Sequence, residues 1–124
     1  MITREITIAG KAIFIAYCYA TEIAYKDFAG EDMTDYIKHA IESINAQRDP
    51  DIKRTIYAIL AAMMAYYNSH NEEPPVTDSD LMNEAKPAEL GMAIFTILDL
   101  RKQFYRVPSG EPEDKTEEGE KAKN

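Results

Sequence analysis

The spacing of hydrophobic and polar residues divides the chain into a short β segment and a longer helical region. Residues 2–8 alternate, with isoleucines on one side of the backbone and threonine and glutamate on the other, which predicts a strand. Gly10 favours a turn at residues 9–11, and the unbroken apolar run 12–19 predicts the returning strand. We therefore expect a β-hairpin over residues 2–19, packed against helices because a lone hairpin is marginal in water.

Helix-capping signals follow the hairpin. Gly30 suits the C-terminal end of a helix, while Thr34 and the Asp-Pro-Asp sequence at 49–51 suit helix starts. Thr77 and Asp80 have the spacing of a cap for a short helix. The predicted helices cover about residues 20–29, 34–47, 50–69, 78–85 and 87–107. The fold class is mainly α, an α+β arrangement of an N-terminal hairpin and a compact bundle of four to five helices.

The C-terminal segment has a different composition. Residues 108–124 contain six acids, three lysines and two prolines, and Ala122 is their only apolar side chain. Such a segment buries too little surface to offset the entropy lost on ordering. We expect a single domain over residues 1–107 and a disordered acidic tail over 108–124.

The predicted helix at 50–69 is apolar on two sides. One broad face is formed by Ile52, Ile56, Ile59, Leu60, Met63, Met64 and Tyr67. The opposite side carries a strip of small residues: Ala58, Ala61, Ala62 and Ala65. The alanines are either good helix formers on the surface, or a strip that lets a second helix approach closely, from this chain or from a partner. In the second interpretation they are candidate protein-binding residues.

The last predicted helix has apolar residues outside its inward stripe. That stripe consists of Leu90, Ala93, Ile94, Ile97, Leu98, Leu100 and Phe104. Met92 and Phe95 fall on the opposite side and are neighbours on a helix surface. We hypothesise that the two mark a surface for a partner or for self-association. The alternative is that another element of the chain covers them.

Charge and cysteine content narrow the classes of function. The chain has 22 acidic and 14 basic residues, a net charge of −8. Nucleic acids and anionic membranes are therefore unfavourable partners, because both recruit Lys and Arg. A single cysteine and the lack of a basic-then-apolar leader favour a cytoplasmic protein.

Candidate chemistry is sparse. His39 and His70 lie at positions typical of surface histidines, and Cys18 lies in an apolar run where a thiol acts as a small hydrophobe. Asp78 and Asp80 resemble half of a calcium loop that lacks its glycine. We expect no catalytic residue, cofactor or metal site, and no enzyme activity.

Residues 7–32 carry a family resemblance. The sequence T-I-x-G-K at 7–11 leads into an aromatic-rich run, YCYATEIAYKDFAGED at 17–32, in which Glu22 opens a helix. With the small helical domain and charged tail that follow, this order resembles the small tail assembly chaperones of long-tailed bacteriophages and their prophages. The resemblance implies a non-enzymatic protein of the host cytoplasm. It would bind the tape measure protein and shield it from aggregation while tail tube subunits polymerise.

Other classes of function remain as alternatives. An acidic regulatory or inhibitory binding module would present a continuous acidic stripe, whereas acids and lysines are interspersed here. A structural tail component would need extended strands to join subunits, and one hairpin is evident. A small enzyme is the least favoured class, because no catalytic motif is present.

Overall fold

The computed structural model describes residues 1–106 and begins with the predicted hairpin. Strand β1 (Ile2–Ile8) pairs antiparallel with β2 (Lys11–Tyr17). Ala9 and Gly10 both have positive φ, at 52° and 75°. This pair of left-handed residues forms the tight turn whose twist matches that of the strands.

Five helices follow, as predicted. They are α1 (Tyr19–Ala29), α2 (Met33–Asn45), α3 (Ile52–Ser69), α4 (Asp78–Glu84) and α5 (Pro87–Phe104). The predicted tail, residues 108–124, lies outside the described residues, as does the predicted domain end at residue 107. None of the helices in residues 1–106 has the length and apolar character needed to cross a bilayer.

Three helix starts differ from their predictions. Helix α1 begins at Tyr19, which was expected to end the returning strand. Helix α2 begins at Met33 with Asp32 as its N-cap, one residue before the predicted Thr34. Helix α3 begins after Asp51, whose carboxylate accepts a hydrogen bond from the Arg54 N–H at 2.9 Å. The Asp51 N–H donates to His39 Nε2 at 2.9 Å, a tertiary contact that joins α2 to the start of α3.

Helix α3 lies at the centre of the fold and packs against β2, α1 and α5. Its alanine strip is enclosed, with Ala58, Ala61 and Ala62 at 0% exposure and Ala65 at 5%. The interpretation of these alanines as surface residues is therefore wrong, and none is accessible to a partner in this fold. Their small side chains let α1 approach α3 closely.

The exposure of Ile52 differs from the prediction. The hydrophobic pattern predicts Ile52 on the broad apolar face of α3, but its side chain is 63% exposed. The first turn of α3 extends past the elements that enclose the rest of the helix, so periodicity alone misplaces this residue.

An ion pair joins the α1–α2 connection to α3. Arg54 donates from Nε and Nη2 to the two carboxylate oxygens of Glu31, at 2.7 and 3.1 Å. The buried Tyr25 hydroxyl also donates to Glu31. Although burial raises it, the pKa of Glu31 is lowered overall by hydrogen bonds from Tyr25 and Arg54 and by the charge of Arg54.

A second polar cluster holds the C-terminal end of α5. The Glu22 carboxylate accepts from the Tyr17 hydroxyl at 2.8 Å and from the Tyr105 hydroxyl at 2.6 Å. The hydrogen bond to Glu22, burial and the nearby negative charge raise the pKa of Tyr105 to about 12. Phe104 packs beside this cluster, with its ring centroid 5.0 Å from that of Tyr19.

Replacing Glu31 with glutamine is expected to lower the free energy of unfolding at neutral pH by about 1 kcal/mol, because the ion pair to Arg54 is lost. The pKa of Glu31 is lowered in the folded state, so its contribution is full above the ordinary glutamate pKa and is lost as pH falls through the folded value. Urea unfolding at several pH values should show the gap between the two proteins closing in acid. Glu42→Gln on α2 is the control, and a gap that persists in acid would contradict an ionic origin.

Candidate protein-binding surface

The N-terminus of α5 is attached to the hairpin turn through one carboxylate. Glu89 accepts hydrogen bonds from the N–H groups of Lys86 at 2.9 Å, Ala9 at 2.9 Å and Gly10 at 3.3 Å. The bond from Lys86 is the main cause of a lowered Glu89 pKa, and the bonds from Ala9 and Gly10 add to it. Pro87 occupies the first turn, where no N–H partner is needed.

A second anchor lies further along the same helix. Arg4 of β1 forms an ion pair with Asp99 at 2.9 Å, and the Gln103 side-chain amide donates to the same carboxylate at 2.8 Å. Because Glu89 contacts the hairpin turn and Asp99 contacts Arg4, α5 runs alongside β1 in the opposite direction. Its buried side chains, Ala93, Ile94, Ile97 and Leu100, face the core.

The outer side of α5 carries the two apolar residues singled out from the sequence. Met92 is 66% exposed and Phe95 is 57% exposed. No element within residues 1–106 covers them, so the alternative that the described fold buries this pair is wrong.

Two depressions flank this part of α5. The α3–α4–α5 groove, about 300 Å³ in volume, includes Ile52, Met82, Gly91 and Ile94 among its lining residues. The β1–α5 groove, about 590 Å³, lies on the other side of the helix and is lined by Arg4, Glu5, Ile6, Thr7, Ala88, Glu89, Met92 and Thr96. Phe95 lies between Ile94, which lines the α3–α4–α5 groove, and Thr96, which lines the β1–α5 groove. Its side chain therefore stands on the ridge that separates the two grooves.

The histidines and the cysteine considered as candidate chemistry make structural contacts at helix ends. His39 accepts a main-chain hydrogen bond at the start of α3, whereas His70 stacks on Tyr66 at the other end, with ring centroids 4.1 Å apart. Cys18 is the N-cap residue of α1. Within residues 1–106, no group of three or more His, Cys, Asp or Glu side chains is arranged to hold a metal ion.

Some of the exposed apolar surface was missed by the sequence reasoning. Met82 lies on α4, which has only seven residues, too few to define a buried stripe. Ile52 belongs to a longer apolar stripe and is exposed only because of where neighbouring elements end. The β1–α5 groove depends on the position of α5 beside the hairpin, for which the sequence carries no local signal.

We found no family model, curated protein or solved structure that matches the chain.

Replacing Glu89 with alanine is expected to loosen the attachment of α5 to the hairpin, because three main-chain N–H groups lose their acceptor. The midpoint of urea unfolding should fall, and hydrogen exchange at the Ala9 and Gly10 amides should accelerate. Glu84→Ala, an exposed acid on α4, is the control. Unchanged exchange at both turn amides would show that Glu89 does not hold the turn.

Replacing Phe95 with glutamate is expected to change the free energy of unfolding by only about 0.5 kcal/mol, because the side chain is exposed. Ile97→Ala on the buried stripe is the contrasting variant and should cost about 2–5 kcal/mol. Urea unfolding measures both values, and sedimentation velocity shows whether Phe95→Glu reduces self-association. Unfolding of the Phe95→Glu variant would instead place this residue in the core.

Proposed function

We propose that this protein is a non-enzymatic tail assembly chaperone of a long-tailed bacteriophage or prophage, acting in the host cytoplasm. Its client would be the tape measure protein, with tail tube subunits as further partners. The observation that carries the proposal is the pair of exposed apolar side chains, Met92 and Phe95, on a helix anchored at Glu89 and Asp99. The resemblance of residues 7–32 supplies the family.

Met92 and Phe95 together form a small apolar ridge, and its size suits reversible binding. Fully burying a Met or Phe side chain contributes about 1.5–3 kcal/mol, so the pair would contribute about 3–6 kcal/mol. Association itself costs at least about 4 kcal/mol in lost translational and rotational freedom. The ridge alone therefore gives weak binding, and contacts in the flanking grooves are needed to hold a client. Weak contact spread over a surface allows the client to be released as assembly proceeds.

The chemistry of the side chains also supports a chaperone. The flexible thioether of Met92 adapts to clients of different shape, while the ring of Phe95 provides a larger apolar contact. The net charge of −8 favours the solubility of a protein with exposed apolar surface.

The acidic regulatory module receives less support from the surface. Exposed acids are paired with bases at several points, for example Asp32 with Lys26 and Asp99 with Arg4. A decoy for a nucleic-acid-binding surface needs a continuous stripe of unpaired acids. The apolar ridge on α5 has no role in such a mechanism.

The proposal is tested by co-expression with the tape measure protein encoded beside this gene. We expect the tape measure protein to stay soluble and to co-purify with the wild-type chain. A double variant, Met92→Glu with Phe95→Glu, should lose both effects. Ile23→Glu on α1 is the matched control, because Ile23 is similarly exposed and lies on another helix. An insoluble tape measure protein, or equal activity of the double variant, would refute the proposal.

A further inference from the structure

The main-chain groups of β1 are directed alternately to its two sides. Ile8 and Lys11 flank the two-residue turn and form a hydrogen-bonded pair, so the groups of Ile6 and Arg4 also point to β2. The N–H and C=O groups of Thr3, Glu5 and Thr7 therefore point away from the hairpin.

The outer edge of β2 confirms this alternation and shows how an edge is closed within the chain. Phe14, opposite Glu5, donates its outward N–H to the Tyr67 hydroxyl at 3.1 Å. Ala16, opposite Thr3, accepts from the Thr21 hydroxyl at 2.8 Å. Side chains of α3 and α1 thus occupy the outer edge of β2.

The outer edge of β1 has no equivalent cover among residues 1–106. Within residues 1–106 the sheet has two strands, and no other element pairs with the outward N–H and C=O groups of β1. An open row of N–H and C=O groups is a template for another strand. A lysine, a proline or a β-bulge often protects such an edge. None of the three outward residues of β1 (Thr3, Glu5 and Thr7) is a lysine or a proline, and β1 pairs with β2 without a bulge.

The β1–α5 groove lies along this open edge. Its walls include Glu5, Ile6 and Thr7 from β1 and Met92 and Thr96 from α5. A strand placed beside β1 would extend the sheet across the outer side of α5. Every second side chain of that strand would face Met92, with the Phe95 ridge beyond it.

We propose that β1 accepts an extended segment of another protein as a third strand, which covers Met92 on α5. This deepens the proposed function by specifying how a client segment is held, and it rests on that function only in taking the partner to be a protein. Main-chain hydrogen bonds to Thr3, Glu5 and Thr7 supply the affinity, and side chains over α5 supply the selectivity.

A second copy of the chain is a poor occupant. Antiparallel pairing of the full length of β1 with itself sets the two Glu5 side chains opposite each other, and a two-residue slip toward the N-terminus sets the two Arg4 side chains opposite each other. Like charges directly opposite are destabilising. A two-residue slip toward the C-terminus avoids both like-charge pairs but leaves only residues 4–8 paired. The charge of −8 on each copy opposes all three registers.

Met92 on α5 and Glu5 on β1 define the chemistry of the partner segment. Alternate side chains that face α5 should be apolar, because they would contact Met92. A Lys or Arg on the other face, opposite Glu5, would form a cross-strand ion pair. The expected ligand is therefore an extended segment that alternates apolar and polar residues and carries a basic residue at its centre.

The probe for the test is the capped peptide Ser-Val-Thr-Val-Lys-Val-Thr-Val-Ser, used up to millimolar concentration with the full-length chain. We expect binding to slow amide hydrogen exchange of Thr3, Glu5 and Thr7 by about tenfold or more, with little change at Arg4, Ile6 and Ile8. The Glu5→Lys variant should weaken binding through repulsion of the peptide lysine.

Two N-methylated versions of the peptide, modified on alternate residues, test the main-chain ladder directly. Only the version methylated on the edge that faces β1 should lose binding. Glu5→Pro removes an outward N–H without removing a hairpin hydrogen bond and should also abolish binding. Glu5→Thr, which keeps that N–H, is its matched control. If Glu5→Pro does not fold, the two methylated peptides still test whether the peptide pairs with β1 through main-chain hydrogen bonds.

Several results would overturn the inference: no binding of the unmodified peptide, equal binding of both methylated versions, or equal binding of a permuted peptide with helical periodicity. Slow exchange of Thr3, Glu5 and Thr7 in the protein alone would also overturn it, by showing that the tail or a second copy already occupies the edge. The test uses no tape measure protein. A negative result here therefore leaves the co-expression test of the proposed function intact, and a negative co-expression result leaves this inference intact.

Discussion

The burial of the apolar middle of α3, between Thr55 and Tyr67, is the constraint on which the other elements depend. A helix that is apolar on all sides must be enclosed, and β2, α1 and α5 together enclose this one. The alanine strip makes the enclosure tight, because small side chains let a neighbouring helix approach closely. Polar contacts then fix the surrounding elements, with Glu31 and Arg54 joining the α1–α2 connection to α3 and Glu89 joining α5 to the hairpin turn.

The exposed ridge on α5 follows from the same constraint. Neighbouring strands lie about 4.8 Å apart, whereas packed helices lie about 8–10 Å apart. A sheet of two strands is therefore too narrow to cover both α3 and α5. The hairpin packs over α3 through β2 and reaches α5 only through β1, so that Met92 lies beyond the edge of the sheet. The open edge of β1 and the exposure of Met92 have one cause, and a single added strand would cover both.

The order of elements was predictable, whereas several details of packing were not. The alternation in residues 2–8, Gly30 after α1 and the Thr77 cap of α4 are local signals, and each lies where it was expected. The start of α3 was misplaced because Asp51, and not Asp49, is the N-cap, with its carboxylate accepting from the Arg54 N–H. The alanines of α3 could be either surface residues or a strip for close helix packing, because the periodicity of one helix does not show how many neighbours surround it.

The amino-acid sequence by itself determined the hairpin, the number and approximate limits of the helices, and the placement of Met92 and Phe95 outside the inward stripe of α5. These properties depend on hydrophobic period, turn residues and caps, which act within a few residues along the chain. Only the tertiary structure decided that α3 is enclosed, that α5 runs beside β1, and that the outer edge of β1 adjoins Met92. Such relations join residues far apart in the sequence, up to 95 positions for Arg4 and Asp99, and their geometry is set by the packing of whole elements.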